Sequence, residues 1–242
     1  MKIYAVGIGS GSKDGITYEA VKAIENSSVI VGYDKYVELI GDLKKDKKIY
    51  TSGMRQEKDR CQKAIDLALS GETVAVVCSG DAGVYGMAGL ICELAEGFPE
   101  LDIETVPGVT AAASAAAKLG APLMHDFAVI SLSDLMTSWE TIEKRIRAAA
   151  EADFVICFYN PGSRKRADYL KKACTYMLEY KSPSTMCGWV RNIGRDGEEK
   201  GICTLSELTD FQADMFTTVI VGNSTTKVIN GRLVTPRGYD IR

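Results

Sequence analysis

The chain has 242 residues, 46% of them hydrophobic and 25% charged, with a net charge of −3. These values suit one large globular domain or two small ones, and they argue against a broad nucleic-acid-binding surface. An odd count of seven cysteines without a CxxC pair, one histidine (His125) and no zinc spacing predict reduced thiols, no metal site and a cytoplasmic protein. No signal peptide or membrane contact is expected, because the N-terminus runs straight into a strand pattern and no apolar run could span a bilayer.

Residues 2–9 read as a strand entering a glycine loop, 17–26 as the helix behind it and 28–31 as a second strand. The run Lys44-Lys45-Asp46-Lys47-Lys48 reads as a solvated turn. Helix 55–69 follows, with Cys61, Ala64, Ile65, Ala68 and Leu69 on one face, then a buried strand over 73–78. A helix over 85–95, a strand over 102–106 and an alanine-rich helix over 109–119 complete an alternating pattern that predicts an α/β fold with a largely parallel sheet.

Gly120-Ala121-Pro122 is the predicted boundary, giving an N-terminal α/β domain over 1–119 and a C-terminal one over 120–242. Beyond it strands 127–131, 154–158 and 185–190 alternate with helices 138–150 and 166–179. Short strands at 201–204, 217–221 and 228–234, the last bent by the hairpin signal Asn230-Gly231, predict a mixed sheet. Two α/β domains joined by a short hinge would place a ligand cleft between them.

The loop Ser79-Gly80-Asp81-Ala82-Gly83-Val84-Tyr85-Gly86 follows the buried strand, and its glycines and carboxylate suggest a site for a small ligand. Read blandly, Asp81 caps the next helix. Gly7-Ile8-Gly9-Ser10-Gly11 invites a dinucleotide reading, but Ser12 stands where the last glycine of that fingerprint belongs, and strand 28–31 lacks the ribose-binding acid. Two more small-residue loops follow strands, at 106–112 and 158–162. His125 is a candidate base, although an isolated histidine is more often structural. Arg164-Lys165-Arg166 is read as starting a helix, where positive charge is unfavourable unless an anion offsets it. Arg191, Arg195 and Arg237 are further candidates, and local arginines in an acidic chain suit a polycarboxylate ligand.

Together Val6-Gly7-Ile8-Gly9-Ser10-Gly11, the Ser79 to Gly86 loop, Val106-Pro107-Gly108-Val109-Thr110-Ala111 and Val219-Ile220-Val221-Gly222-Asn223 resemble the tetrapyrrole (corrin/porphyrin) methyltransferases over almost the whole chain. The segments 124–135, 159–164 and 235–239 resemble the members that methylate C17 of a precorrin-3B or cobalt-factor III type substrate in cobalamin synthesis, with ring contraction and lactone formation. Methylation at C11 or C20 is the alternative. The resemblance implies two α/β domains, usually in a homodimer, and S-adenosyl-L-methionine as cofactor, with cobalt only as part of a substrate. It assigns Gly80, Asp81, Val84, Thr110, Ala111, Tyr159 and the Ile193 backbone to the cofactor. The N-terminal glycines Gly7, Gly9 and Gly11 would line the substrate trough, with Arg164 and Arg191 meeting substrate carboxylates. For the proton movements of ring contraction the candidates are His125, Ser131, Asp134 and Asp14. Ser10 and Ala82 depart from the pattern, since many relatives carry proline at each place.

Overall fold

The protein is described by a computed structural model over residues 1–163 and 166–240, so the substrate contact expected of Arg164 lies outside the described residues. The chain divides into two compact units, Met1–Ala111 and Ala112–Arg242.

The first unit is a five-stranded parallel sheet in the order β3-β2-β4-β1-β5, formed by β1 (Lys2–Gly7), β2 (Val29–Tyr33), β3 (Lys48–Ser52), β4 (Thr73–Cys78) and β5 (Asp102–Val106). Alternation along β4 sends Val74, Val76 and Cys78 to one face and Ala75 and Val77 to the other. The first face packs under α3 (Glu57–Leu69) and α4 (Ala88–Leu94), and the second under α1 (Tyr18–Glu25) and α2 (Asp34–Leu39). Both faces are therefore apolar, as a doubly covered parallel sheet requires. Burial of each large aliphatic side chain contributes roughly 1.5–3 kcal/mol.

Two local features differ from the sequence reading. The lysine run is a turn only as far as Lys47, where β3 follows as an exposed edge strand; Lys47 Nζ donates to Glu25 O and Ser27 O, capping the carbonyl end of α1. The helix expected from residue 85 begins at Ala88, because Tyr85 adopts φ 54° and the chain must first leave that left-handed turn.

The second unit carries a mixed sheet in the order β10-β9-β11-β8-β7, built from β7 (Phe127–Ser131), β8 (Val155–Tyr159), β9 (Met186–Arg191), β10 (Glu199–Thr204) and β11 (Thr217–Val221). Only β7 and β8 run parallel; the other pairs are antiparallel. Helices α6 (Trp139–Glu151), α7 (Tyr169–Met177) and α8 (Leu205–Leu208) close its core around Phe158, Ile156 and Met177. A small third sheet joins the hairpin β12 (Lys227–Ile229) and β13 (Arg232–Val234) to β6 (Gly120–Ala121). Asn230 at φ 49° and Gly231 at φ 73° make the turn that their sequence predicts.

Helix α5 (Ala111–Leu119) belongs almost wholly to the second unit, so the division falls before the helix and not at Gly120-Ala121-Pro122. Side chains explain the difference: Lys118 pairs with Glu198 at 2.8 Å, Lys200 Nζ donates to Lys118 O at 2.6 Å, and Leu119 lies over the bare Cα of Gly188. Among the described residues no helix is long and apolar enough to cross a membrane. All seven cysteines are free, and burial pushes the Cys61, Cys157 and Cys174 thiols up to about 12.

Candidate functional site

In the first unit the loops after β1, β4 and β5 meet at the C-terminal edge of the parallel sheet, where α/β proteins characteristically bind ligands. Gly9 and Gly80 exchange backbone hydrogen bonds of 3.0 and 2.7 Å. A Cβ on Gly7 would stand 2.6 Å from Gly108 N, and one on Gly108 would stand 2.2 Å from Gly80 O. Gly7 and Gly108 are thus needed for the loops to touch one another. Gly80 (φ 71°) differs, because its absent Cβ would lie 3.6 Å from Ala111 N and 3.7 Å from Thr110 Cα in ordinary contact. Gly11 lies half-buried beyond the join, and Ser12, the residue that breaks the dinucleotide fingerprint, accepts from Asp14 N at 3.1 Å. The loop thereby enters a short turn around an exposed Asp14, and α1 starts only after its Thr17 cap.

Asp81 ties the same region together. Its Oδ2 accepts from Gly83 N (2.8 Å) and Val84 N (3.0 Å), and its Oδ1 accepts from Gly108 N at 2.9 Å. The carboxylate therefore shapes its own loop and pins it to the loop after β5, instead of capping the next helix. A carboxylate has about four acceptor positions, so Oδ1 retains one. Val84 is about one-third exposed, and Thr110 and Ala111 are half-buried at the start of α5.

In the second unit Tyr159, the last residue of β8, accepts from Ala112 N through its hydroxyl at 2.7 Å, which fixes the first turn of α5. Asn160 (φ 52°) donates to Ser131 Oγ at 3.0 Å, so the ends of β7 and β8 are joined by side chains. Asp134 accepts from Tyr169 OH at 2.6 Å and pairs with Arg166 Nε at 2.5 Å. Tyr169's hydrogen bond, followed by Arg166, holds the Asp134 carboxyl below its ordinary range, and the same bond raises the Tyr169 phenol. Arg166 finds its counter-ion in Asp134, and the helix expected from residue 166 starts at Tyr169.

Arg191 is also engaged, with Glu199 at 3.1 Å and Asp214 at 3.4 Å, while its NH2 donates to Gln212 O. Two acidic neighbours neutralise the charge that the sequence reading reserved for substrate. Ile193 is buried in a turn between Asn192 (φ 52°) and Gly194 (φ 69°), and its backbone N–H and C=O have no partner among the described residues. His125 is half-buried in the loop before β7. The Asp81–Gly108 bond and the acidic neighbours of Arg191 are the features that sequence reasoning missed, since both join residues far apart in the chain.

A doubly covered parallel sheet in one unit and a mixed, helix-covered sheet in the other define the class as an α/β protein of two units. Residues 2–209 match the family described as Tetrapyrrole (Corrin/Porphyrin) Methylases, and the chain belongs to that family. It is 50% identical over 238 residues to the probable cobalt-factor III C(17)-methyltransferase of Salmonella typhimurium, with 98% of each chain covered. Against the precorrin-3B C(17)-methyltransferase of a Sinorhizobium species it is 37% identical over 246 residues, covering 98% of this chain and 96% of the relative. The crystal structure of the methyltransferase CobJ superimposes with a TM-score of 0.88 at 35% identity, covering 97% of this chain and 98% of that one.

Proposed function

We propose that this protein is an S-adenosylmethionine-dependent C-methyltransferase that methylates C17 of a cobalt-factor III or precorrin-3B type tetrapyrrole, with ring contraction and lactone formation. The observation that carries the reading is the end-to-end 50% identity with the cobalt-factor III relative, which exceeds the 37% shared with the precorrin-3B relative and favours the cobalt-bearing substrate. A homodimer in the cytoplasm fits the same reading.

The residues assigned to the cofactor suit it physically. Gly80 presents a bare Cα beside Ala111 N, Asp81 Oδ1 keeps an acceptor position for a hydroxyl or amine, and Ile193 offers unused backbone groups. Val84 and Thr110 supply flanking surface, and Tyr159 steadies the helix start next to Ala111. The cofactor, once bound, supplies a methyl group on a sulfonium, so no side chain of this chain has to act as a nucleophile. Its residues align the acceptor carbon and exclude water. Of the proton-transfer candidates, Asp134 is held ionised by Tyr169 and Arg166, which suits it to accept a proton and not to donate one. Ser131 is bonded to Asn160, His125 is half-buried, and Asp14 is exposed on a turn. Of the glycines assigned to the macrocycle wall, Gly11 is half-buried, whereas Gly7 and Gly9 are buried in the loop junction and would hold the wall's shape from behind.

Titration calorimetry tests the reading. Tight binding of S-adenosylhomocysteine without binding of a nicotinamide dinucleotide is expected, and failure to bind S-adenosylhomocysteine would overturn it.

A further inference from the structure

Arg60 on α3 is a buried cation without a carboxylate. The residue is 5% exposed, and no ion pair to it exists among the described residues. Its Nε donates to Ser52 Oγ (3.0 Å), its NH2 to Ser52 O (3.3 Å) and Gly53 O (2.9 Å), and its NH1 to Met87 Sδ (3.4 Å). The guanidinium also lies 6.0 Å from the centroid of the Tyr33 ring. Carbonyl dipoles and a ring face compensate only part of a desolvated charge. The charge sits at the first turn of α3, a positive helix end that the acidic Glu57 and Asp59 offset in part without pairing with the guanidinium.

All four neighbours occupy one edge of the parallel sheet. Tyr33 ends β2, Ser52 ends β3 with Gly53 just after it, and Met87 stands between the Asp81 loop and α4. A cation held there without an ion-pair partner raises the potential along the C-terminal edge of the sheet. Four of the guanidinium's five N–H groups are already used, so the group acts through its field, without needing to touch a ligand.

We propose that Arg60 is a substrate-positioning residue, whose charge, unpaired among the described residues, favours an anionic, polycarboxylate macrocycle at this edge. The proposal rests on the tetrapyrrole methyltransferase reading above. The test is steady-state kinetics at low and high salt for wild type, Arg60→Met and Arg60→Lys, with S-adenosylhomocysteine affinity measured on each by calorimetry. Arg60→Met is expected to raise KM for the tetrapyrrole about tenfold and flatten its salt dependence, with kcat and cofactor affinity held within about threefold. Lysine, which keeps the charge, should restore most of the KM. Should Arg60→Met fail to fold, Arg60→Gln, which keeps N–H donors for the Ser52 and Gly53 carbonyls without the charge, makes the same comparison. An unchanged KM, or equal losses for both ligands, would overturn the proposal. Failure of the underlying function would appear earlier, in wild-type protein that does not bind S-adenosylhomocysteine.

Discussion

The two units fix their strand-end loops by opposite means. In the first, backbone meets backbone: Gly7 and Gly108 lie too close to each other and to Gly80 O to admit a side chain, and Asp81 fastens the join through three N–H groups. In the second, side chains form the ties, with Asn160 on Ser131, Tyr159 on Ala112 N, and Asp134 between Arg166 and Tyr169. A backbone join is rigid and intolerant of substitution. A side-chain join can be loosened one bond at a time, and the one at Asp134, whose carboxyl is held below its ordinary range, responds to pH. The first unit thus offers a preset cradle, and the second a set of separable adjustments.

The contrast is broken most severely at Gly108. An alanine there would place its Cβ 2.2 Å from Gly80 O and 2.6 Å from Gly7 C, and backbone on both sides cannot yield cheaply. Gly108→Ala is expected to destabilise the protein by about 3 kcal/mol or more in denaturant unfolding, or to prevent folding. Asp81→Ala comes next. It frees three N–H groups in a partly exposed loop, so a stability loss of about 2 kcal/mol is expected, together with at least a tenfold loss of S-adenosylhomocysteine affinity in calorimetry. An unchanged affinity would remove Asp81 from the site.

Tyr159→Phe removes a single acceptor from Ala112 N. The expected cost is about 1 kcal/mol by urea unfolding, with a smaller loss of cofactor affinity than for Asp81→Ala. The smallest effect is the acid response of Asp134. Its pKa is lowered in the folded state, so its contribution is present above the unfolded value and is lost as pH falls through the lower, folded value. Wild type should therefore lose stability below about pH 4 more steeply than Asp134→Asn, as read from unfolding midpoints across an acid pH series.

Much of the frame was legible because it is local. Residues 73–78 form an unbroken apolar run that can only be a doubly covered strand, and 230–231 carry a hairpin turn in two residue types. The edge strand β3 escaped notice because four of its five residues are exposed, so burial imposed no pattern on them, and the lysines before it look like plain solvent-facing charge. The start of α4 was misplaced because nothing in the residue type Tyr85 signals a left-handed turn; that conformation depends on Ala82 and Gly86 lying in contact. At the site, the glycine loops could be read as important but not as touching one another. Likewise, Arg166 and Arg191 looked available because Asp134 and Asp214 are distant in sequence and adjacent only after folding.

The central claim is methyl transfer to one carbon of a contracting macrocycle. It is tested most directly by incubating the enzyme with a methyl donor labelled at the transferred carbon and assigning the product by NMR and mass spectrometry. The account predicts one labelled methyl at C17 of a ring-contracted lactone. A label at C11 or C20, or no transfer to a tetrapyrrole, would contradict it.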